Sequence, residues 1–589
     1  MKLLSRTRAS TSQSMLSGAM ILTVSMALVK VIGFFYKMPL NNILEMEGRA
    51  VFSSAFNLYS PIYAIAITGL PIAVARMVSE RVALGRFRDV RAIRRVARDL
   101  FLLTGVGGLA GMLALAYPYA KHIATSGLNA LPAILMITPS IFFCCAMSIY
   151  RGYYEGLRNM IPTAVSQVIE AICKLVLGIL FATLCMRWGA AEYKAKGTVF
   201  GMLAENAGAA EKLLFSWAAA AAILGITIGT VFGTLYLMVS HTLRGDGIHR
   251  AQLVNAPPAA PAKKLRHEMI TIAIPMVFSS VVLNVTNLID TANVQRLLLG
   301  LMEKHPDVIA QIYGEKGNAD YMWGIYNAML DFRTLIPTIV TALGVSALPA
   351  ISAAWALKKK AAVQHTVNSV LRVSLIISLP AGFGMAVLAK EIPYLFFEKS
   401  NPGMTQHAWP ILLMFGLSTA LMSISAPITN LLQGIGRTDV PVKSLLVGAV
   451  VKITFNFILV GNPHINVKGA PIGSILCYVA IVSINLFALL RVSRVKLHLR
   501  SILWKPLFCA ALAGAAAWAT KGIISVVAAK IGLEGRTQTL VIVVAAVGAA
   551  VLIYAISMLL TRAVTEEDLE MLPLGEKIAK TLAKRGLLG

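Results

Sequence analysis

The feature that most constrains this chain is a series of uninterrupted apolar runs, each about 20 residues long, that recur from one end to the other. A helix of that length crosses the roughly 30 Å of hydrocarbon in a bilayer. Lipid offers backbone groups no hydrogen-bond partner, so only helices and closed barrels span a membrane. Barrel strands alternate apolar and polar residues, whereas these runs are continuously apolar. The sequence therefore predicts an all-α polytopic membrane protein.

The composition indicates the same class of protein. Charged residues make up 14% of the 589 residues and hydrophobic residues make up 57%. A soluble domain carries roughly 25% charged residues, so the polar surface is too small for a soluble protein of this length. The formal net charge of +27 would suggest nucleic acid in a soluble protein. Here the basic residues lie between apolar runs, beside anionic lipid, and we expect no nucleic-acid partner.

Fourteen spans and one orientation account for the apolar runs and the loops between them. Basic residues concentrate in alternate loops, such as the eight arginines between positions 76 and 98, which the positive-inside rule places in the cytoplasm. Both termini are then cytoplasmic, and the first run is a retained helix rather than a signal peptide. The predicted spans are residues 20–40, 50–75, 100–119, 131–150, 161–185, 213–239, 269–299, 323–347, 370–388, 411–432, 445–460, 472–490, 507–527 and 540–560.

An internal repeat divides the chain. Leu70-Pro71 and Leu348-Pro349 end the second and eighth spans, and Gly156 and Gly434 precede the fifth and eleventh; 349 minus 71 and 434 minus 156 both give 278. Six spans are an even number, so the two copies are predicted to be parallel six-helix lobes. The predicted domains are an N-terminal lobe at 1–244, a cytosolic linker at 245–268, a C-terminal lobe at 269–492, and two further helices with a cytosolic tail at 493–589. The linker is rich in alanine and proline and is expected to be a flexible tether.

Two six-helix lobes are typical of a transporter whose lobes rock about a central cavity. The sequence contains no Gly-x-x-x-x-Gly-Lys-Ser/Thr, His-Glu-x-x-His or Gly-x-Ser-x-Gly motif, and its cysteines and histidines lack metal-ligand spacing. We therefore expect no enzyme activity, no cofactor and no metal site. A scaffold or a membrane-embedded enzyme is the alternative to transport at this stage.

Charged residues inside spans mark the candidate binding site, because a charge in hydrocarbon is costly and usually faces a cavity. The first span contains Lys30 and Lys37, seven residues apart and so on one helical face. Arg49 opens the second span, as an interfacial anchor or a ligand contact. Lys174 and Lys452 occupy equivalent repeat positions, in a structural or a binding role.

The seventh and eighth spans supply the other candidates. Polar residues recur every third position in the seventh span, which predicts one polar helical face. The eighth span adds Asp331 and Arg333, which lie two apart and so face different neighbours. The candidates are mostly cationic, with aspartates as partners, and cations suit an anionic ligand such as phosphate or pyrophosphate. The stripe consists of Asn284, Asn287, Asp290, Asn293 and Arg296; helix–helix hydrogen bonding is the alternative role of its asparagines.

Several motifs, in order along the chain, resemble those of MurJ/SpoVB-type flippases in the multidrug/oligosaccharidyl-lipid/polysaccharide (MOP) exporter superfamily. They are LVKVIGF at 28–34, TGLPIAVARMVSE at 68–80, NLIDT at 287–291, ALPAIS at 347–352 and QGIGR at 433–437. The resemblance implies basic cavity residues on helices one, two and eight, and Lys30 stands where the family often has arginine. Two positions depart from the pattern: no arginine lies near Tyr63, and Arg333 is one position from the family's eighth-helix arginine. The pattern fits the SpoVB-like branch better.

The resemblance implies a flippase in the bacterial cytoplasmic membrane. Its substrate would be an undecaprenyl-pyrophosphate-linked cell-wall precursor, with lipid II as the leading candidate and another polyprenyl-linked glycan as the alternative. Membrane lipid would surround it, a coupling ion or the membrane potential would supply energy, and cell-wall synthesis proteins would be partners. The other hypotheses are a cation-coupled multidrug exporter of the same superfamily, which needs an acidic site, and a non-transporting scaffold of the cell-wall machinery.

Overall fold

The computed structural model describes residues 15–67 and 69–563, which are almost entirely helical. They fall into two compact units, Met1–Gln295 and Arg296–Gly589. The helices of the first unit are α1 (Met15–Ile67), α2 (Leu70–Ala83), α3 (Phe87–His122), α4 (Leu131–Gly156), α5 (Ile161–Lys196), α6 (Ala207–Arg244), α7 (Arg250–Val254) and most of α8 (Ala262–Lys304). A two-stranded antiparallel hairpin of β1 (Thr198–Val199) and β2 (Met202–Leu203) joins α5 to α6.

The second unit contains the end of α8 and nine further helices. They are α9 (Pro306–Tyr313), α10 (Ala319–Ala356), α11 (Lys360–Val387), α12 (Glu391–Phe397), α13 (Met404–Gly434), α14 (Asp439–Val460), α15 (Ala470–Ser493), α16 (Lys505–Lys530) and α17 (Gly535–Leu560).

Ten helices within the described residues are long and apolar enough to cross a membrane. They are α3 to α6, α11, and α13 to α17, and the four remaining predicted spans fall in α1, α8 and α10. The predicted polytopic helical fold is thereby confirmed. The first two spans are joined without a loop, since α1 only kinks, at Glu45, where φ is 53° and ψ is −158°.

The second span ends earlier than the sequence suggested. Gly69 has a φ of 94°, and α2 begins directly after it. A Cβ atom on Gly69 would lie 2.9 Å from the carbonyl oxygen of Ala273 in α8, so both the dihedral angle and the close approach require glycine. The helix that follows packs on α4, where a Cβ on Gly152 would lie 2.7 Å from the carbonyl oxygen of Pro71. The predicted span 50–75 is therefore two helices.

The linker between the predicted lobes forms hydrogen bonds with α3 and α4, which the expectation of a flexible tether did not include. Arg91 on α3 binds Asp246 at 3.0 Å, and the hydroxyl of Tyr153 on α4 donates to the same carboxylate at 3.1 Å. The guanidinium of Arg88 donates to the carbonyl oxygen of Leu253 at 2.8 Å. The alanine- and proline-rich composition of the linker suggested flexibility because composition contains no information about contacts with residues distant in sequence.

Asp89 fixes the other end of the linker. Its side chain is 1% exposed and accepts a hydrogen bond from the backbone N–H of Ala260 at 2.7 Å. The same carboxylate forms ion pairs with Arg86 at 2.8 Å and Arg81 at 3.4 Å. Arg81 also binds Glu268 at 2.8 Å, at the beginning of α8. This acid therefore connects α2, α3, the linker and, through Arg81, α8.

The acid inside the linker, Asp246, stays charged at neutral pH. Burial alone would raise its pKa, but hydrogen bonds from Arg91, from the Ile248 amide and from Tyr153 outweigh that effect and lower the pKa below its ordinary value. A lowered folded-state pKa contributes stability above the unfolded-state value, and that contribution disappears as the pH falls through the folded-state pKa. The contact is thus intact at physiological pH.

We predict that Asp89→Asn lowers the free energy of unfolding by about 3 kcal/mol, because it leaves two arginines facing a neutral group. Asp99→Asn is the matched control on the same helix, since the Arg98–Asp99 pair is exposed, with side chains 62% and 54% accessible. Chemical unfolding in detergent micelles measures both. Equal effects of the two substitutions would contradict the role assigned to Asp89.

Candidate functional site

The first span contributes two predicted lysines. Lys30 lies in the first part of α1, and its side chain is outside the described residues, so its role stays a prediction. Lys37 lies two turns further along the same segment and is half-buried. The placement of Lys37 before the Glu45 kink keeps it on the first of the two helical segments.

Arg49 lies one turn after the kink and is buried, with 7% of its surface exposed. Its Nη1 donates to the side-chain oxygen of Asn41, which precedes the kink. The guanidinium therefore bridges the two segments of α1, and its position depends on the bend at Glu45.

The predicted polar stripe on α8 is only partly described. Asp290 is half-buried, Arg296 is exposed, and the side chain of Asn287 is outside the described residues. Sequence reasoning missed Gln295, which is fully buried and donates from Nε2 to the hydroxyl of Ser54 at 3.2 Å. Nothing in the three-residue period singled this residue out, because its partner lies on α1.

Arg333 is the most unusual of the predicted residues. It is 7% exposed, and its guanidinium carbon lies 4.7 Å from the ring centre of Phe415 on α13. Within the described residues, its Nε and Nη1 are buried and have no hydrogen-bond partner. Asp331, two residues earlier, is half-buried. Buried donors without partners are rare, and an arginine in that condition is suited to an anion that offers several oxygen acceptors.

The ring against which Arg333 lies belongs to an aromatic cluster. Phe415 lies 5.7 Å from Tyr326, and Tyr326 stacks on Trp323 at 5.6 Å between ring centres. An aromatic face attracts a cation but accepts no conventional hydrogen bond, so it compensates the charge only in part. The guanidinium of Arg333 therefore lies in a site of low polarity.

Lys174 on α5 lies between two aromatic rings of α1. Its Nζ is 5.2 Å from the ring centre of Tyr36 and 5.7 Å from that of Phe56. These rings come from opposite sides of the Glu45 kink, so the lysine contacts both segments. Its repeat equivalent, Lys452, is half-buried on α14.

The sequence analysis missed a charge pair in the first unit. Arg151 on α4 binds Glu170 on α5 at 3.2 Å and donates to the hydroxyl of Ser166 at 3.0 Å. The signal was present, since Glu170 is an acid within the predicted span 161–185. The cost of a charge in hydrocarbon made Lys30 a candidate, and it applies equally to Glu170.

The candidate residues belong to both compact units, and the structure brings several of them into contact with helices of their own unit. In the first unit Arg49 and Lys174 lie on or against α1, and in the second unit Arg333 lies against α13. Among the described residues, no group of three or more histidine, cysteine, aspartate or glutamate side chains could hold a metal ion. The arrangement favours binding of an anion.

Comparison with protein families identifies the chain's relatives. The family model described as "Polysaccharide biosynthesis protein" matches residues 15–355, more than half of the chain, and the MatE model matches residues 324–458. The chain belongs to the polysaccharide biosynthesis protein family. The predicted resemblance to MurJ/SpoVB-type members of the MOP superfamily is confirmed by the individual relatives.

Two relatives of the family come from Bacillus subtilis (strain 168). Lipid II flippase MurJ is 24% identical over 558 residues, which cover 92% of this chain and 95% of the relative. Stage V sporulation protein B is 22% identical over 473 residues, which cover 78% of this chain and 80% of the relative. The similarity to MurJ thus extends over nearly the whole of both chains.

Two solved structures share the fold of this chain. An inward-facing multidrug resistance MATE transporter of the MOP superfamily has a TM-score of 0.61 at 14% identity, covering 81% of this chain and 98% of its own. Lipid II flippase MurJ in an inward closed conformation has a TM-score of 0.59 at 14% identity, covering 92% and 98%. Flippases and transporters are therefore the proteins that this chain resembles.

We predict opposite stability effects at two arginines that are equally buried, at 7% exposure each. Arg333→Met removes donors that lack partners, so the thermal unfolding midpoint should stay equal or rise. Arg49→Met leaves Asn41 without its donor and should lower the free energy of unfolding by about 1–3 kcal/mol. The thermal unfolding midpoints of the two purified variants test both expectations. A similar loss of stability in both would remove the argument that Arg333 is held for binding.

Proposed function

We propose that this chain is a flippase that moves an undecaprenyl-pyrophosphate-linked cell-wall precursor, lipid II in the first place, from the inner to the outer leaflet. The observation that carries the proposal is the buried guanidinium of Arg333, whose Nε and Nη1 lack hydrogen-bond partners within the described residues. A pyrophosphate supplies the oxygen acceptors that this group needs. The similarity to lipid II flippase MurJ over nearly full length supports a lipid-linked pyrophosphate as this anion.

The predicted site residues divide into two roles. The cationic residues would hold the pyrophosphate, and the polar and acidic residues would orient them, while the prenyl chain stays in lipid. The two lobes at 1–244 and 269–492 would alternate access to the site, and the linker at 245–268 would connect them. The cationic set is Lys30, Lys37, Arg49, Arg296 and Arg333, and the orienting set is Asn287, Asp290 and Asp331.

The energy source in this proposal is the membrane potential or an ion gradient, because the sequence has no nucleotide-binding loop. Transport then requires no covalent chemistry, and we propose that the chain is not an enzyme. Its place would be the bacterial cytoplasmic membrane, with both termini in the cytoplasm. Cell-wall synthesis proteins that consume the flipped precursor would be its partners.

A second candidate function is a cation-coupled multidrug exporter. The MatE family model matches residues 324–458, and the MATE transporter shares the fold. An exporter of cationic drugs needs a site that is acidic overall, whereas the predicted residues here are mostly basic. Growth of cells in cationic drugs, with and without the chain, tests this alternative directly.

The proposal predicts that Lys30→Ala abolishes flipping and that Lys30→Arg retains it, because phosphates need the positive charge. The assay is complementation of a cell depleted of its own flippases, with inward-facing lipid II as the readout. Lys530→Ala, at the exposed end of α16, is the control and should complement fully. Full complementation by Lys30→Ala would remove Lys30 from the site, and no accumulation of lipid II on depletion would reject the substrate.

Orientation is tested separately. Single cysteines at the exposed positions Arg88 and Lys359 should resist an impermeant thiol reagent in intact cells, whereas a cysteine at exposed Asp307 should react. Permeabilised cells provide the control, since all three cysteines should then react. Labelling of the Arg88 position from outside would contradict cytoplasmic termini.

A further inference from the structure

A cleft of about 400 Å³ lies between the last two spanning helices, on a part of the molecule that the proposed function does not use. Its walls come from α16, α17 and the first residue of α12. Lys521 lies nine residues before the end of α16, and Ile542 lies seven residues after the beginning of α17. At 1.5 Å per residue, the cleft is about 10–14 Å from the α16–α17 turn, within the membrane-spanning part of both helices.

The mouth of the cleft is apolar and its back is closed. Trp518 and Ile523 line it and are 69% and 63% exposed on a helix long and apolar enough to span, so in a bilayer they would face acyl chains. Behind it, Leu388, Ala517 and Ala546 form a buried apolar cluster. The cleft therefore opens to lipid and ends against the protein interior.

An ion pair lies in this apolar wall. The ammonium of Lys521 is 2.7 Å from Glu391 and 3.3 Å from the carbonyl oxygen of Val387. The second carboxylate oxygen, Oε2 of Glu391, is buried and has no hydrogen-bond partner within the described residues. A lysine ammonium carries three donors, so one remains available. Sequence reasoning missed Lys521, although it is a charge inside the predicted span 507–527.

We propose that this cleft binds the headgroup of a phospholipid that carries both a phosphate and a primary ammonium, as in phosphatidylethanolamine. The ammonium of the headgroup donates to Oε2 of Glu391, and its phosphate accepts the remaining N–H of Lys521. The zwitterion leaves the cleft neutral, which matters because unbalanced charge in hydrocarbon is costly. The acyl chains then lie along Trp518 and Ile523.

The chemistry selects this headgroup over two others. An anionic headgroup without an amine, such as phosphoglycerol, brings negative charge against Glu391 and leaves Oε2 without a donor. A quaternary ammonium has no N–H to donate. The inference does not depend on the substrate of the proposed flippase, since the residues concerned are outside the predicted substrate site.

Native mass spectrometry of the purified, delipidated full chain tests the proposal. Phosphatidylethanolamine should bind about tenfold more tightly than phosphatidylglycerol of the same chains, the effect of one charge-assisted hydrogen bond. Free phosphoethanolamine should not bind at the same concentration, because it lacks the acyl chains. Equal binding of the two lipids, or equal binding of free phosphoethanolamine, would overturn the proposal.

Two pairs of variants locate the site. Gly522→Leu should fill the cleft and abolish selective binding, because a Cβ on Gly522 meets no atom within 4 Å and the substitution leaves the ion pair intact. Gly548→Leu on α17 is the matched control, since that glycine also has open space and does not line the cleft. Both replacements suit a helix interior, so folding is preserved.

The second pair removes charge without changing shape. Glu391→Gln should reduce phosphatidylethanolamine binding about tenfold, because the amide offers a donor where the headgroup needs an acceptor. Glu534→Gln, at the exposed α16–α17 turn, should leave binding unchanged. Unchanged selective binding in both Gly522→Leu and Glu391→Gln would show that the lipid sits elsewhere, and would refute the site.

Discussion

A charged side chain among apolar helices needs a partner, because hydrocarbon solvates neither lysine nor arginine. The packing of the spanning helices follows from how this requirement is met. Arg151 has a carboxylate partner on the next helix, and Lys521 has one on α12. Lys174 lies between aromatic rings, and Arg49 binds an amide across the kink in α1. Within the described residues, Arg333 lies against the ring of Phe415 and its Nε and Nη1 have no hydrogen-bond partner.

The arginines between residues 76 and 98 meet a second requirement. They give the predicted orientation through the positive-inside rule. Some of them also form hydrogen bonds with the linker. Arg88 and Arg91 bind the linker backbone and Asp246, while Asp89 accepts the Ala260 amide. One set of residues therefore gives the predicted topology and fixes the approach to α8. A change that preserves positive charge but not geometry should keep the orientation and loosen the linker.

Much of the fold could be predicted from the sequence because hydropathy is a local property. A run of apolar residues is a spanning helix wherever it lies, so the class and the span count follow directly. The positions of the breaks within helices were harder to predict. The loop expected around Glu45 is only a kink, and the turn at Gly69 divides a predicted span. Both depend on neighbouring helices, such as the close approach of Ala273, which periodicity does not report.

The sequence by itself determined that this chain is a polytopic helical membrane protein that resembles flippases, with basic residues in its spans. Only the tertiary structure decided which of those charges are satisfied. Arg88 and Leu253 are 165 residues apart, and Gln295 and Ser54 are 241 apart, yet each pair is in contact. A hydrogen bond forms only when donor and acceptor lie about 3 Å apart, so pairs between residues distant in sequence exist only once the helices have packed.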